Sequence, residues 1–178
     1  MFWSYFIVFI LLAVILLLFF YYWKSLKEFA PWVPSSSRLA AEALIWINPA
    51  PGTKFVDLGS GDGRIVFMAE KKFQLNAVGV EFSPIIWLIS IIRKFISRSK
   101  AQLLLGSLYN YHLGDCQIIY LYGLPENLKN QLAKKIIAEV KPGTWIISYT
   151  FSLTSLIPIH QIKDKWRQVN IYQVKSKG

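Results

Sequence analysis

The sequence has one cysteine and two histidines, and this scarcity excludes two classes of protein. Cys116 has no partner for an internal disulfide, so a small secreted domain held by disulfides is excluded. With only His112 and His160 beside it, the usual cysteine and histidine ligands of a structural zinc site cannot be assembled. The sequence therefore predicts a protein of a reducing compartment with no metal site.

Charge is also scarce, at 17% of the 178 residues against about 25% in an average soluble domain, while 54% are hydrophobic. Such a composition excludes a disordered chain, and the length suits one domain rather than two. Every charged residue follows Trp23, with 20 Lys and Arg against 10 Asp and Glu. The net charge of +10 therefore belongs to the part of the chain after Trp23.

The segment Met1–Trp23 contains no Asp, Glu, Lys, Arg, Pro or Gly. As a helix it would be about 34 Å long, enough to cross a hydrocarbon core of about 30 Å. Aromatic residues lie at both ends, and Lys24 and Lys27 follow, which predicts a single-pass anchor oriented N-out. A cleaved signal peptide is the alternative, but a basic start and a cleavage site are lacking.

This interpretation divides the chain into a transmembrane anchor over residues 1–23, a short linker over 24–34 and one domain over 35–178. The domain would lie on the cytoplasmic side, or on the equivalent inner face of a mitochondrion. The lipid bilayer is thus the first expected partner.

After the linker, strand-like and helical runs alternate, which predicts an α/β fold with an open, mostly parallel sheet. Near-continuous apolar runs such as QIIYLY are typical of parallel strands buried on both faces. The tail Gln168–Lys175 alternates apolar and polar residues and suits an antiparallel edge strand. The other predicted strands are Lys54–Leu58, Ala77–Glu81, Gln102–Leu105, Gln117–Leu121 and Thr144–Tyr149, and the predicted helices are Arg38–Ile47, Arg64–Phe73, Pro84–Ile96 and Glu126–Val140.

The segment FVDLGSGDGRIV, residues 55–66, places Asp57 at the end of a strand and three glycines in the turn before a helix. Glycines let the backbone turn sharply and pass close to a ligand. Their spacing fits neither the GxGxxG of dinucleotide sites nor a P-loop. A lone turn of this kind can be a structural loop, but Glu81 ends the next predicted strand about 20 residues on and VKPGTW precedes a later one. The combination favours a cofactor site.

These residues resemble motif I, D/E-x-G-x-G-x-G, of the class I methyltransferases that use S-adenosylmethionine (SAM). With PWVPSS, GVEFSP and YLYGLP, the chain is similar to the small membrane-anchored lysine methyltransferases of the adenine nucleotide translocase and the ATP synthase c subunit. The resemblance implies a Rossmann-like class I methyltransferase fold with SAM as cofactor. It implies cofactor contacts from Asp57, Gly59, Gly61, Asp62, Gly63, Glu81 and Ser107.

The resemblance also implies what these positions do. The glycine turn would make room for the methionine part of SAM, and Glu81 would accept the ribose hydroxyls. Ser107 stands where related sequences often carry the acid that lies near the adenine amino group, which puts the cofactor affinity in question. Asp62 either contacts the cofactor or caps the following helix.

For the acceptor, the resemblance implies a catalytic role for Tyr122 and substrate contacts for Trp32 and Pro125; packed side chains are the alternative. Methyl transfer from a sulfonium depends mostly on positioning and desolvation, so it needs no histidine or cysteine base. The predicted function is methylation of lysine side chains in membrane-associated proteins.

Three alternatives stay open. A membrane tether would also serve methylation of a lipid or small molecule. The net charge of +10 raises RNA methylation, although the base-methylating N/D-P-P-Y/F signature is absent and no RNA-binding module fits, which argues against a nucleic acid partner. A non-catalytic membrane scaffold is the third.

Overall fold

In the computed structural model, residues 2–28, 35–122, 131–150, 152–153, 156–165 and 167–175 are described. The helices in these ranges are α1 Phe2–Glu28, α2 Ser37–Ile47, α3 Arg64–Phe73, α4 Pro84–Ser97 and α5 Ala133–Glu139. The strands are β1 Lys54–Leu58, β2 Asn76–Glu81, β3 Gln102–Leu105, β4 Ile118–Tyr122, β5 Trp145–Tyr149, β6 His160–Lys163 and β7 Gln168–Gln173.

The strands form one sheet in the order β3-β2-β1-β4-β5-β7-β6. Strands β1 to β5 run parallel to one another, and β7 lies antiparallel to both β5 and β6. The order reverses between β1 and β4. In an open α/β sheet, ligands usually bind at such a reversal, outside the carboxyl ends of the strands. The predicted α/β class with a mostly parallel sheet is confirmed.

The sheet is covered on both faces. On one face, Phe55, Tyr120 and Ile147 are buried with apolar residues of α2 and α3. On the other face, Val56 and Ile119 are buried with apolar residues of α5. This double burial explains why β4 reads IIYLY without alternation, and why β1 and β5 are mostly apolar on both faces.

Helix α2 begins and ends at residues of the types that favour helix termini. The helix begins after Ser36, whose hydroxyl accepts a hydrogen bond from the Leu39 amide at 3.5 Å. It ends at Asn48, which has a left-handed conformation with φ of 52°. The predicted start and end of this helix agree with the structure to within one residue.

The tail strand differs from its prediction. Strand β7 is not at the edge of the sheet, because it lies between β5 and β6. Its residues Val169, Asn170, Ile171 and Tyr172 are all fully buried, as befits an interior position. The edge strand is β6, a short polar segment with half-buried and exposed residues in alternation that the sequence did not predict.

The remaining predicted helix, Glu126–Val140, is only partly observed. Helix α5 begins at Ala133 and ends at Glu139, and residues 123–130 lie outside the described ranges.

Helix α1 continues to Glu28, past Trp23 and into the predicted linker. Across the described ranges, no helix is at once long enough and apolar enough to cross a membrane. The structure therefore gives no support to the transmembrane anchor predicted for Met1–Trp23.

Candidate cofactor and acceptor site

The loop between β1 and α3 lies at the carboxyl end of the sheet and is fastened to β2 by its backbone. The amides of Gly59 and Ser60 both donate to the carbonyl of Val80, at 2.9 and 3.0 Å. The amide of Gly63 donates to the Ser60 carbonyl at 3.0 Å, which closes the turn before α3. These bonds hold the loop against the end of the neighbouring strand.

Two glycines are required by the space around this loop. Gly63 has φ of +78°, and a Cβ there would lie 2.6 Å from the ring of Phe67. Gly79 lies in β2, where a Cβ would lie 2.7 Å from Ser60 Oγ and 2.9 Å from Val66 Cγ2. Gly79 was not among the predicted site residues, although a single glycine inside a strand is a known signal of close backbone approach.

Glu81 is the acid at the end of β2, and its carboxylate is held by the loop. The Gly61 amide donates to Oε2 at 2.9 Å, and the Ser83 amide donates to Oε1 at 2.8 Å. Burial raises the pKa of Glu81, and the backbone amides of Ser83, Gly61 and Phe82 counteract part of that effect. A carboxylate can accept about four hydrogen bonds, so Glu81 retains acceptor capacity for ribose hydroxyls.

Asp57 and Asp62 lie near Glu81 but in different electrostatic surroundings. Burial, followed by the charges of Glu81 and Asp62, raises the pKa of Asp57 well above its ordinary value. For Asp62, burial opposes ionisation, but hydrogen bonds and charges from Arg64 and Arg93 outweigh it and lower the pKa. The site thus pairs an acid with a raised pKa and an acid held ionised.

Asp62 makes its contacts with two arginines and with the start of α3, whose N-cap residue is Gly63. Its carboxylate accepts from Arg64 Nε at 2.9 Å and from Arg64 Nη2 at 2.7 Å, and Arg93 pairs with it as well. The Arg64 amide also donates to Asp62 Oδ1, at 3.3 Å. Asp62 therefore ties the start of α3 to α4, while its cofactor contact stays a prediction.

Ser107 lies just beyond the end of β3, on the same side of the site as Glu81. The Gly106 amide donates to the Glu81 carbonyl at 2.9 Å, which keeps the two segments adjacent. The half-buried Ser107 hydroxyl accepts from the Tyr109 amide at 3.3 Å. Its predicted place beside the adenine amino group stays a prediction.

At the carboxyl ends of β4 and β5, the sheet carries aromatic side chains. Tyr122 ends β4 and is half-buried, with its ring centroid 6.0 Å from that of Tyr149 at the end of β5. Burial, and secondarily Tyr149, raises the pKa of Tyr122. The Tyr149 hydroxyl accepts from the Ser36 amide at 3.1 Å, so the start of α2 is bound to this end of the sheet. The predicted contacts Trp32 and Pro125 lie outside the described residues.

Tyr149 and the Ser36 amide were not predicted from the sequence. A signal for Tyr149 was available, because parallel neighbouring strands end at the same edge and Tyr149 pairs in register with Tyr122. Nothing local indicates Ser36, which lies 113 residues away from Tyr149 along the chain.

The arrangement favours group transfer by positioning. Its glycine turn fits a ligand that approaches the backbone, Glu81 suits a diol, and the aromatic half suits an apolar or cationic acceptor. Over the ranges described above, no group of three or more His, Cys, Asp or Glu side chains could hold a metal ion.

Comparison with known proteins agrees with this geometry. A family model described as the ANTKMT methyltransferase domain matches residues 57–160. The mouse adenine nucleotide translocase lysine N-methyltransferase is 31% identical over 83% of this chain and 65% of its own length. A protein-lysine N-methyltransferase of Saccharolobus islandicus is 29% identical over 75% of this chain and 84% of its own. The mouse lysine N-methyltransferase of the ATP synthase c subunit is 30% identical over 73% and 52%.

Among solved structures, an RNA methyltransferase from Salinibacter ruber in complex with S-adenosyl-L-homocysteine superimposes with a TM-score of 0.77. It is 22% identical, and the match covers 82% of this chain and 96% of that one. At this identity the likeness establishes the fold, which is the class I methyltransferase fold. The match spans 65% and 52% of the two mouse relatives, so each of them extends well beyond it.

Proposed function

Because this chain belongs to the ANTKMT methyltransferase domain family, we propose that it transfers methyl groups from SAM to lysine side chains of proteins. The observation that carries the proposal is the family match over residues 57–160, which includes the glycine turn, Glu81 and Tyr122. The three curated relatives are named as lysine N-methyltransferases, which favours lysine over lipid or RNA as the acceptor.

SAM is the cofactor of this fold, and the residues present fit it. The turn Gly59–Gly63 and the carboxylate of Glu81 would hold it, and Ser107 would lie on the side of its adenine ring. When bound, SAM would supply a methyl group on a positively charged sulfur, so that a neutral amine forms the C–N bond as the C–S bond breaks, S-adenosylhomocysteine leaves and the amine proton passes to water. The chain itself has to bring that amine to the carboxyl end of the sheet and to remove the water molecules that hydrate it.

The ring of Tyr122, which is half-buried at the end of β4, is suited to this task. Aromatic faces attract an ammonium group by cation–π interaction. An apolar environment disfavours the charged form of a lysine and so lowers its pKa, which raises the fraction of neutral amine. The half-buried Tyr122 therefore combines attraction of the approaching lysine with its conversion to a nucleophile, and the buried ring of Tyr149 supports it from the core.

The full chain is to be incubated with methyl-tritiated SAM and a cell extract that contains protein, lipid and RNA. We expect label in methyllysine after acid hydrolysis of the protein fraction. The matched control is the same extract with lysines blocked beforehand by acetylation, which should remove the signal. A Glu81→Gln variant should also give little label.

Label in the organic phase, or label released by ribonuclease, would contradict lysine as the acceptor. Absence of label in all fractions, with SAM bound in calorimetry, would favour the scaffold alternative.

The acceptor proteins and the location are a further part of the proposal. The two mouse relatives are named for the adenine nucleotide translocase and for the ATP synthase c subunit, and we propose a membrane-associated protein as the acceptor here. Support for a membrane location comes from the exposed apolar side chains of α1, such as Trp3, Phe9 and Leu16. Fractionation after carbonate extraction tests it, and a fully extracted protein would contradict attachment through α1.

A further inference from the structure

Helix α4 has the reverse of the usual amphipathic pattern, because it buries a serine and exposes large apolar residues. Ser90 is its one fully buried residue. Its exposed apolar side chains are Ile85 at 37%, Leu88 at 54%, Ile89 at 45%, Ile92 at 53%, Phe95 at 87% and Ile96 at 75%. We call these six residues the α4 stripe.

The stripe is one continuous face of the helix. Its members follow the spacing i, i+3/i+4, i+7, i+10/i+11, which places them within about a third of the helix circumference. The opposite face carries the packing on the sheet, where Trp87 and Ile91 lie against the core. The Trp87 indole also donates to the Leu103 carbonyl at 3.4 Å. Within the described ranges, the stripe therefore takes no part in packing α4 on the sheet.

Four basic residues lie at or just after the carboxyl-terminal ends of α3 and α4. Arg98 and Lys100 follow α4 and are exposed, as are Lys71 and Lys72 at the end of α3. The Lys71 ammonium donates to the Ser97 carbonyl, which fixes the end of α3 against that of α4. We call these four cations the basic rim.

We propose that α4 docks into the surface of a bilayer that contains anionic lipids. An apolar helix face with basic residues at its border is the pattern of helices that lie in the membrane interface. The basic rim is complementary to anionic headgroups, each Lys or Arg near such a surface contributing about 1 kcal/mol. A second copy of the chain fits less well, because a net charge of +10 opposes self-association.

This docking has a consequence for the site. Helix α4 begins three residues after Glu81, and Ile85 of the stripe lies in its first turn. A membrane-bound α4 would therefore hold the cofactor end of the sheet close to the lipid surface, independently of α1 and of the chemical nature of the acceptor.

The test uses the full chain with an environment-sensitive nitrobenzoxadiazole dye at one introduced cysteine. The native Cys116 is buried, so labelling should be confined to the new site. Ile92→Cys reports on the stripe. Lys134→Cys is the matched control, because it is exposed on α5, which packs on the opposite face of the sheet. Unchanged S-adenosylhomocysteine binding in both variants shows that they are folded.

Vesicles of phosphatidylcholine with phosphatidylglycerol should shift the emission of the dye at residue 92 to the blue and increase it several-fold. The dye at residue 134 should emit as it does in water. Because both variants carry the same α1, recruitment by α1 cannot produce this difference. Arg98→Gln with Lys100→Gln should weaken docking of α4 roughly 30-fold, from the loss of two interfacial charges.

Two outcomes would overturn the proposal. In the first, the protein sediments with the vesicles while the dye at residue 92 stays water-like. In the second, the dye at residue 92 shifts with rising protein concentration in the absence of vesicles, which would assign the stripe to a second copy.

Discussion

The two halves of the sheet's carboxyl edge are built differently. The cofactor half, at β1 and β2, consists of residues within Asp57–Ser83, and backbone amides hold its loop and its acid in place. The acceptor half, at β4 and β5, brings together Ser36, Tyr122 and Tyr149. The two tyrosine rings pack against each other, and the Tyr149 hydroxyl accepts from the Ser36 amide. The cofactor half is thus local in sequence and fixed by close packing, whereas the acceptor half depends on distant segments meeting.

The first prediction tests the packing of the cofactor half. Gly79→Val should lower the free energy of unfolding by about 3 kcal/mol, because even its Cβ would lie under 3 Å from Ser60 and Val66. Urea unfolding measures the loss, and calorimetry should show that S-adenosylhomocysteine no longer binds. Gly106→Ala is the control, with no atom within 4 Å of its added Cβ and an expected change below about 0.5 kcal/mol. Equal stability of Gly79→Val and wild type would refute this packing.

The second prediction concerns the charge on the acid of the cofactor half. Glu81→Gln should weaken S-adenosylhomocysteine binding by about 2 kcal/mol, or roughly 30-fold, because hydrogen bonds to a charged group are stronger than neutral ones. Isothermal calorimetry measures the dissociation constant. Tyr122→Phe, on the acceptor half, serves as the comparison and should leave cofactor affinity unchanged. Similar losses in the two variants would remove the distinction between the halves.

The third prediction separates the acceptor half from cofactor binding. Tyr149→Phe removes the hydroxyl that accepts from the Ser36 amide, an interaction contributing about 1 kcal/mol. We expect kcat/KM for the protein acceptor to fall about fivefold, with S-adenosylhomocysteine affinity unchanged. Steady-state kinetics with varied acceptor, beside calorimetry, provides both values. A fall in cofactor affinity with normal acceptor kinetics would instead assign Tyr149 to the cofactor half.

The fourth prediction uses the pH dependence of stability. Burial raises the pKa of Asp57 above its ordinary value of 3.8, so the folded state loses stability as pH rises from about 4 through the raised pKa. Asp57→Asn removes this loss and should be more stable than wild type at pH 7 by about 0.5 to 1 kcal/mol, with weaker cofactor binding. Thermal unfolding at several pH values measures the difference, which should disappear below about pH 4. A constant difference at all pH values would assign the effect to packing.

The predictability of the site follows the same division. The loop from Asp57 to Gly63 and the acid Glu81 could be recognised because strand, turn and helix follow each other without interruption. Gly79 escaped notice because its role exists only once the loop packs on β2. The contact of Tyr149 with Ser36 was not predictable, because no sequence pattern links residues 113 positions apart.

The strands show where periodicity reaches its limit. Helix α3 and strands β1 and β3 agree with their predictions at both ends, since their apolar runs have clear boundaries. Strand β7 was recognised as antiparallel, but alternation along one strand does not reveal whether a neighbour covers its outer edge. The short polar β6 is that neighbour, and no hydrophobic pattern in the sequence predicts it.

The amino-acid sequence alone was sufficient for the α/β class and for the glycine turn between β1 and α3, because these depend on neighbouring residues and on composition. The contact of Ser36 with Tyr149, the interior position of β7 and the outward direction of the α4 stripe came from tertiary packing. One cause accounts for all three. Periodicity shows that a face is apolar, but which apolar faces are buried depends on elements that are distant in the chain.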